Sequence, residues 1–99
     1  MIRLTGHFET PNAGKYIGQL CKHFGHKVEV EYDETTGRAE LPLGTAHMVA
    51  RDGVMEVVMD VSDESRLSMA KDVIDRHLVT FAFREDFQNM NWTETALQP

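Results

Sequence analysis

The chain is poor in cysteine, in proline and in long apolar runs: its 99 residues include one cysteine and three prolines. A single cysteine excludes an internal disulfide and a zinc site built from several cysteines, and it fits a reducing compartment. No apolar run approaches the roughly 20 residues that cross a membrane. The first residues, MIRLTGHFE, alternate from the start without an apolar region. We therefore expect a cytoplasmic protein without a secretory signal.

Positive charge is also scarce, with ten Lys and Arg against 16 Asp and Glu and a net charge of −6. Binding of nucleic acid needs a surplus of Lys and Arg on one face, so we expect no nucleic-acid partner. A composition of 41% hydrophobic and 26% charged residues is that of a soluble globular protein. The length predicts a single domain, which we place at residues 1–92, with a frayed tail at residues 93–99.

Known catalytic motifs are missing as well. The sequence has no glycine-rich phosphate loop, no G-x-S-x-G elbow, no H-E-x-x-H and no C-x-x-C. Cys21 and His23 do not form a nucleophile pair, because positions two apart on a helix point about 200° apart. An enzyme with His77 or His26 as general base is one hypothesis, but no motif supports it.

Apolar residues follow two different periods along the chain. Alternation predicts strands at residues 2–8, 26–32 and 39–41, and a hairpin of residues 45–51 and 54–61 across Asp52-Gly53. Helical spacing predicts one helix from Thr10 and Pro11 to a left-handed stop at Gly25, and a second from Ser62 or Asp63 to about residue 81. The order β-α-β-β-β-β-α predicts an α+β fold, a two-layer sandwich. Its mainly antiparallel sheet would have four or five strands and both helices on one face.

The five histidines differ in their predicted surroundings. His7 and His47 fall on the outward side of their strands. His23 lies in the last turn of the first helix, where the carbonyl ends favour positive charge. His26 has the strand parity that faces the core, and His77 lies within the apolar stripe of the second helix. Two histidines in apolar positions are therefore the polar residues that the predicted fold leaves unexplained.

Three interpretations of these histidines remain open. Imidazole is a common ligand of zinc, iron and copper, so His23, His26 and His77 are candidate metal ligands. A structural hydrogen-bond network is the more common role of a buried histidine. A ligand pocket is the third. Beside them, Arg84 follows the aromatic residue Phe81 and is either compensation for a helix end or a clamp for an anion.

Two segments, LCKHFGHK (residues 20–27) and RHLVTFAFRED (residues 76–86), carry a resemblance. Together they resemble the bacterial family catalogued as Domain of Unknown Function 2218, over most of the chain up to about Trp92. The resemblance implies a small cytoplasmic protein without an assigned activity. Similar domains attached to siderophore-interacting, flavin-binding proteins imply a link to iron handling. The resemblance brings neither a catalytic role nor a cofactor, and the motif residues that it carries over are Lys22, His23, Phe24, His26, Lys27, His77, Phe81, Phe83, Arg84 and Glu85.

The leading hypothesis is a non-enzymatic accessory domain that binds a small ligand or a protein partner, in iron or siderophore metabolism. If the ends of the two helices meet, the ligand-binding residues are His23, His26, His77, Arg84, Lys22, Lys27 and Phe81. One alternative is a metal-binding protein that uses His23, His26 and His77. Another is a homodimer formed through the open face of the sheet, around His47, Val49, Val54 and Val58. The sequence names neither the ligand nor a cofactor.

Overall fold

The structure, a computed structural model, describes residues 1–97. Its elements in chain order are β1 Ile2–Glu9, α1 Ala13–Phe24, β2 Val30–Tyr32, β3 Thr36–Leu41, β4 Gly44–Arg51, β5 Val54–Val61, α2 Leu67–Phe81 and β6 Asn91–Ala96. Short 3₁₀ turns at Glu64–Arg66 and Phe83–Glu85 flank α2. The strands form a sheet in the order β2-β3-β4-β5-β1-β6, and every neighbouring pair is antiparallel. The predicted α+β fold is confirmed, with six strands in place of four or five.

The core lies between one face of the sheet and the two helices. Strand β5 alternates strictly, with Met55, Val57, Met59 and Val61 buried and the intervening residues partly exposed. The helices contribute the other half of the core, chiefly Tyr16, Ile17, Leu20, Cys21, Phe24, Ala70, Ile74 and Leu78. The opposite sheet face carries cross-strand ion pairs such as Arg3 with Asp60 at 2.8 Å. Both helices therefore cover the same face, as predicted.

The hairpin turn between β4 and β5 has the predicted conformation. Asp52 and Gly53 both have positive φ, 54° and 74°. Consecutive positive φ values match the right-handed twist of the flanking strands, which explains the preference for Asp-Gly in this turn.

Both ends of α1 differ from the prediction. The helix begins at Ala13, because Thr10 and Pro11 form a separate turn in which Thr10 Oγ1 accepts a hydrogen bond from the Asn12 amide at 3.1 Å. Gly25 has φ −60° and ψ −15°, so the predicted left-handed stop is wrong. A side chain would fit tightly at this position. A Cβ would lie 3.1 Å from the Cys21 carbonyl oxygen and 3.2 Å from Val30 Cγ2.

Strand β2 is shorter than predicted, and this changes the position of His26. The chain continues past α1 as a turn, with the Lys27 and Val28 amides both bonded to the Phe24 carbonyl at 2.9 and 3.0 Å. The strand begins only at Val30, at the edge of the sheet. The alternation counted back from β2 therefore does not apply to His26, which is exposed rather than core-facing.

Strand β6 occupies the segment predicted to be a frayed tail, so that prediction is wrong for residues 93–96. The strand pairs with β1 from Ile2 opposite Ala96 to His7 opposite Asn91. Its start is fixed by Asp75 of α2, which accepts hydrogen bonds from the Met90 amide and from Trp92 Nε1, both at 2.9 Å. Residues 98 and 99 of the predicted tail lie outside the described residues. Within residues 1–97, no helix is long and apolar enough to cross a membrane.

Candidate functional site: the histidine pocket

The end of α1, the turn after it, the β3–β4 connection and the middle of α2 enclose a pocket of about 310 Å³. We call it the histidine pocket. Most of its exposed lining is apolar, and the charged groups of its lining are imidazoles, a lysine and an arginine. The residues that line it are His23, Phe24, His26, Lys27, Leu41, Pro42, Val73, Arg76 and His77.

Aromatic rings from both helices meet at this pocket. The ring centroids of His23, from the last turn of α1, and His77, from α2, are 4.3 Å apart with their planes at 50°. Phe24 lies edge-on to His77, with centroids 5.3 Å apart. Phe81 approaches His23 from outside the lining, at 6.3 Å. The end of α1 therefore contacts α2 through rings, at His77 one turn before the end of that helix.

The backbone of α2 fixes the tautomer of His77. Its Nδ1 lies 2.6 Å from the Val73 carbonyl oxygen one turn earlier. A carbonyl can only accept, so Nδ1 carries the proton and donates. In the neutral ring, Nε2 is consequently the nitrogen with the free lone pair.

The lining of the pocket contains two cations, Lys27 and Arg76, and no carboxylate, in contrast to the net negative charge of the whole chain. Partial loss of water around the ring lowers the pKa of His23 below its usual value, and the charges of His77, His26, Lys27 and Arg76 lower it further. All the charged groups that shift this pKa are thus imidazoles or cations. An anion placed among them would meet attraction from several sides.

The structure brings together part of the predicted set of ligand-binding residues. His23, His26, His77 and Lys27 line the pocket, and Phe81 supports it at the back of His23. Arg84 does not belong to the pocket, because its guanidinium lies over the exposed Phe83 ring, 5.4 Å from the centroid. Lys22 also lies elsewhere, in a groove beside Gly14, Lys15 and Glu34.

Five lining residues are absent from the predicted ligand-binding set: Phe24, Leu41, Pro42, Val73 and Arg76. Val73, Arg76 and His77 stand at positions i, i+3 and i+4, a spacing that puts them on one face of α2. That spacing would have indicated Arg76, rather than Arg84, as the arginine beside His77. Leu41 is the last residue of β3 and Pro42 follows it in the β3–β4 connection. Their approach to α2 depends on the packing of the whole sheet. No local signal indicates it.

The geometry also bears on the predicted metal ligands. In the described part of the chain, no group of three or more His, Cys, Asp or Glu side chains is placed to hold a metal ion. His23, His26 and His77 share the pocket without forming such a group.

Comparison with known proteins gives a family and a fold. A family model described as an uncharacterised protein conserved in bacteria, DUF2218, matches residues 5–93. The chain belongs to the DUF2218 family. It is also similar to the NMR structure of PA4090 from Pseudomonas aeruginosa, with 26% sequence identity, a TM-score of 0.74 and 100% of both chains covered. No curated protein matches the chain. The comparisons thus show the family and support the α+β fold.

Proposed function

We propose that this DUF2218 protein is a non-enzymatic binding domain whose histidine pocket takes a small anion with an apolar portion. The observation that carries the proposal is a local reversal of charge: a chain of net charge −6 with neutral histidines lines an apolar pocket with two cations, Lys27 and Arg76, and with the imidazoles of His23, His26 and His77. An apolar floor with a few convergent polar groups is the usual composition of a small-molecule site.

The size of the pocket agrees with a small ligand. About 310 Å³ lies at the lower end of the roughly 300–1,000 Å³ typical of ligand pockets. Phe24, Leu41 and Val73 are available to contact the apolar portion. Arg76 at the rim can bind a carboxylate through two parallel N–H donors, and Lys27 adds a second positive charge.

A larger groove beside β2, β3 and β4 is a weaker candidate. It measures about 470 Å³, but the guanidinium of Arg38 in its lining is already paired with Glu31 at 3.0 Å and Glu40 at 2.9 Å. The arginine of this groove therefore has its charge compensated within the chain. Among residues 1–97, in contrast, Lys27 has no ion-pair partner, and Arg76 has only a distant one, Asp72 at 3.8 Å.

Two fluorescent probes of matched shape test the proposal. 8-Anilinonaphthalene-1-sulfonate is an anion, and N-phenyl-1-naphthylamine has the same rings without the sulfonate. We expect the anion to bind at least about tenfold more tightly to the folded protein, and the variant K27Q/R76Q to remove about tenfold of that affinity. The neutral probe should bind the variant and the wild type within about twofold of each other.

The matched control is K15Q/K22Q, which also removes two positive charges, but from residues outside the histidine pocket. Its affinity for the anion should stay within about twofold of the wild type, since a long-range loss of charge is screened by salt. Equal loss in both double variants would refute the proposal, because it would make net charge the cause. So would equal affinity of the two probes for the wild type.

The remaining predictions about function are tested with the same protein. A link to iron or siderophore metabolism comes from the family resemblance, and iron complexes of anionic siderophores belong in a competition series against the fluorescent anion. Metal binding through His23, His26 and His77 predicts a thermal shift with zinc or iron that triple alanine replacement abolishes. A homodimer through the open sheet face predicts a concentration-dependent sedimentation coefficient.

A further inference from the structure

The walls of the histidine pocket are unusually rich in rings. Three aromatic rings line it, those of His23 and Phe24 from α1 and His77 from α2, and the pyrrolidine ring of Pro42 comes from the β3–β4 connection. The aromatic planes are inclined to one another by 50°, 70° and 76°. None of these pairs is a parallel stack: one is tilted and two meet edge to face.

We infer that the ligand of the histidine pocket is a planar aromatic carboxylate, an inference that rests on the proposed function. Inclined rings offer both faces and edges to a flat molecule, and aromatic pairs favour edge-to-face and offset contacts over loose apolar contact. A saturated ring has no such preference.

The cationic rim favours the same class of ligand. A guanidinium or imidazolium over an aromatic face is attracted by the quadrupole of the ring, in addition to any contact with the carboxylate. Arg76 and Lys27 are positioned at the rim together with His26. An aliphatic acid could interact with these cations only through its carboxylate. An aromatic acid could interact with them through its carboxylate and through the face of its ring.

Two acids with one carbon skeleton test the inference. 2-Naphthoate and decahydro-2-naphthoate carry the same carboxylate, and the saturated acid is the more hydrophobic of the two. Simple burial of apolar area would therefore favour the saturated acid. We expect 2-naphthoate to displace the fluorescent anion at an about five- to tenfold lower concentration.

Two variants at one exposed position separate the ring from its charge. H23L keeps an apolar side chain and removes a wall ring, so we expect the preference for 2-naphthoate to fall to about twofold or less. H23F restores a ring without a titrating nitrogen and should restore the preference. His23 is exposed, so both variants are expected to fold, and the far-ultraviolet circular dichroism spectrum checks this.

The outcomes distinguish the inference from the proposed function. If both acids bind the wild type equally, or the saturated acid binds more tightly, the inference is refuted while the proposed anion site stands. If neither acid displaces the fluorescent anion, the inference is refuted as well. If the fluorescent anion itself shows no dependence on Lys27 and Arg76, the proposed function falls first.

Discussion

The two ends of α1 differ in whether their charged groups have partners within the chain. We call its start, at Asn12 and Tyr16, the closed end and its end, at His23, the open end. At its start, the Glu85 carboxylate accepts hydrogen bonds from the Tyr16 hydroxyl and, at 3.2 Å, from Asn12 Nδ2. At its end, His23 faces His77, and the groups that shift its pKa are imidazoles and cations. A polar group with its partners in place is typical of a structural network. Like charges beside an apolar pocket are typical of a binding site, because a ligand can supply the missing charge.

The pKa of Glu85, at the closed end of α1, reflects the same hydrogen bonds. Partial burial favours the neutral acid, but the hydrogen bonds that Glu85 accepts, chiefly the one from Tyr16, outweigh it and lower the pKa of Glu85. Tyr16 is only 3% exposed. The charge of Glu85 is therefore bound within the chain, and the network joins the 3₁₀ turn after α2 to the beginning of α1.

The closed end of α1 is also tightly packed against the rest of the chain. Two glycines of α1 test this packing, and we expect them to give the largest change in stability. A Cβ on Gly14 would overlap the backbone carbonyl oxygen of Glu34, whereas a Cβ on Gly18 would meet no atom within 4 Å. We expect Gly14→Ala to lower the free energy of unfolding by about 2–3 kcal/mol. Gly18→Ala should raise it by about 0.5–1 kcal/mol, since alanine is the better helix former. Urea unfolding measures both, and equal stability of the two variants would contradict the close approach at Gly14.

Removal of the bound charge at the closed end has the next largest effect. Glu85→Ala leaves the buried Tyr16 hydroxyl without its acceptor, so we expect the free energy of unfolding to fall by about 1.5–3 kcal/mol. The neighbouring Arg84→Ala is the matched control, because its guanidinium contacts only the exposed Phe83 ring among the aromatic groups described. Its effect should stay within about 0.5 kcal/mol. A larger loss of unfolding free energy in Arg84→Ala than in Glu85→Ala would contradict the structural role that we give to Glu85.

The same contrast explains which features local sequence could predict. Period and turn chemistry act over a few residues, so they located the antiparallel strands, both helices and the Asp52-Gly53 hairpin. Strand β6 depends on Asp75, whose hydrogen-bond partners Met90 and Trp92 lie 15 and 17 residues further along the chain. Such long-range contacts leave no local pattern, and a polar, threonine-rich segment therefore looked like a frayed tail.

The sequence predicted those parts of the candidate site that follow from the position of a residue within its own helix. His23 in a last turn and His77 in an apolar stripe indicated that the two helices meet near these residues, and their ring centroids are 4.3 Å apart. His26 was placed correctly in the cluster for a wrong reason, because it reaches the pocket from a turn and not from a core-facing strand position. Pro42 could not be predicted, since only the assembled sheet brings the β3–β4 connection to α2.

At the open end of α1 we expect the smallest effect on stability, a dependence of the free energy of unfolding on pH that comes from His23. Its pKa is lowered in the folded protein, whereas an unfolded histidine titrates near about 6.5. Between these two values the unfolded chain binds more protons, so the free energy of unfolding decreases as the pH falls through this window. Glu85 and Asp60, whose pKa values are also lowered, lose their contributions in a separate window, below the pKa values of unfolded carboxyl groups.

Urea unfolding of the wild type and of His23→Gln at pH 7.5 and 5.5 isolates this contribution. We expect the variant to lose less stability on acidification than the wild type. Asp75, whose pKa burial raises, is common to both proteins, so its titration cancels in the comparison. A bound anion should reduce the difference, because negative charge among the imidazoles favours their protonated forms. An identical dependence on pH in both proteins would show that the charge at this end of α1 is compensated after all, and the contrast between the two ends would be lost.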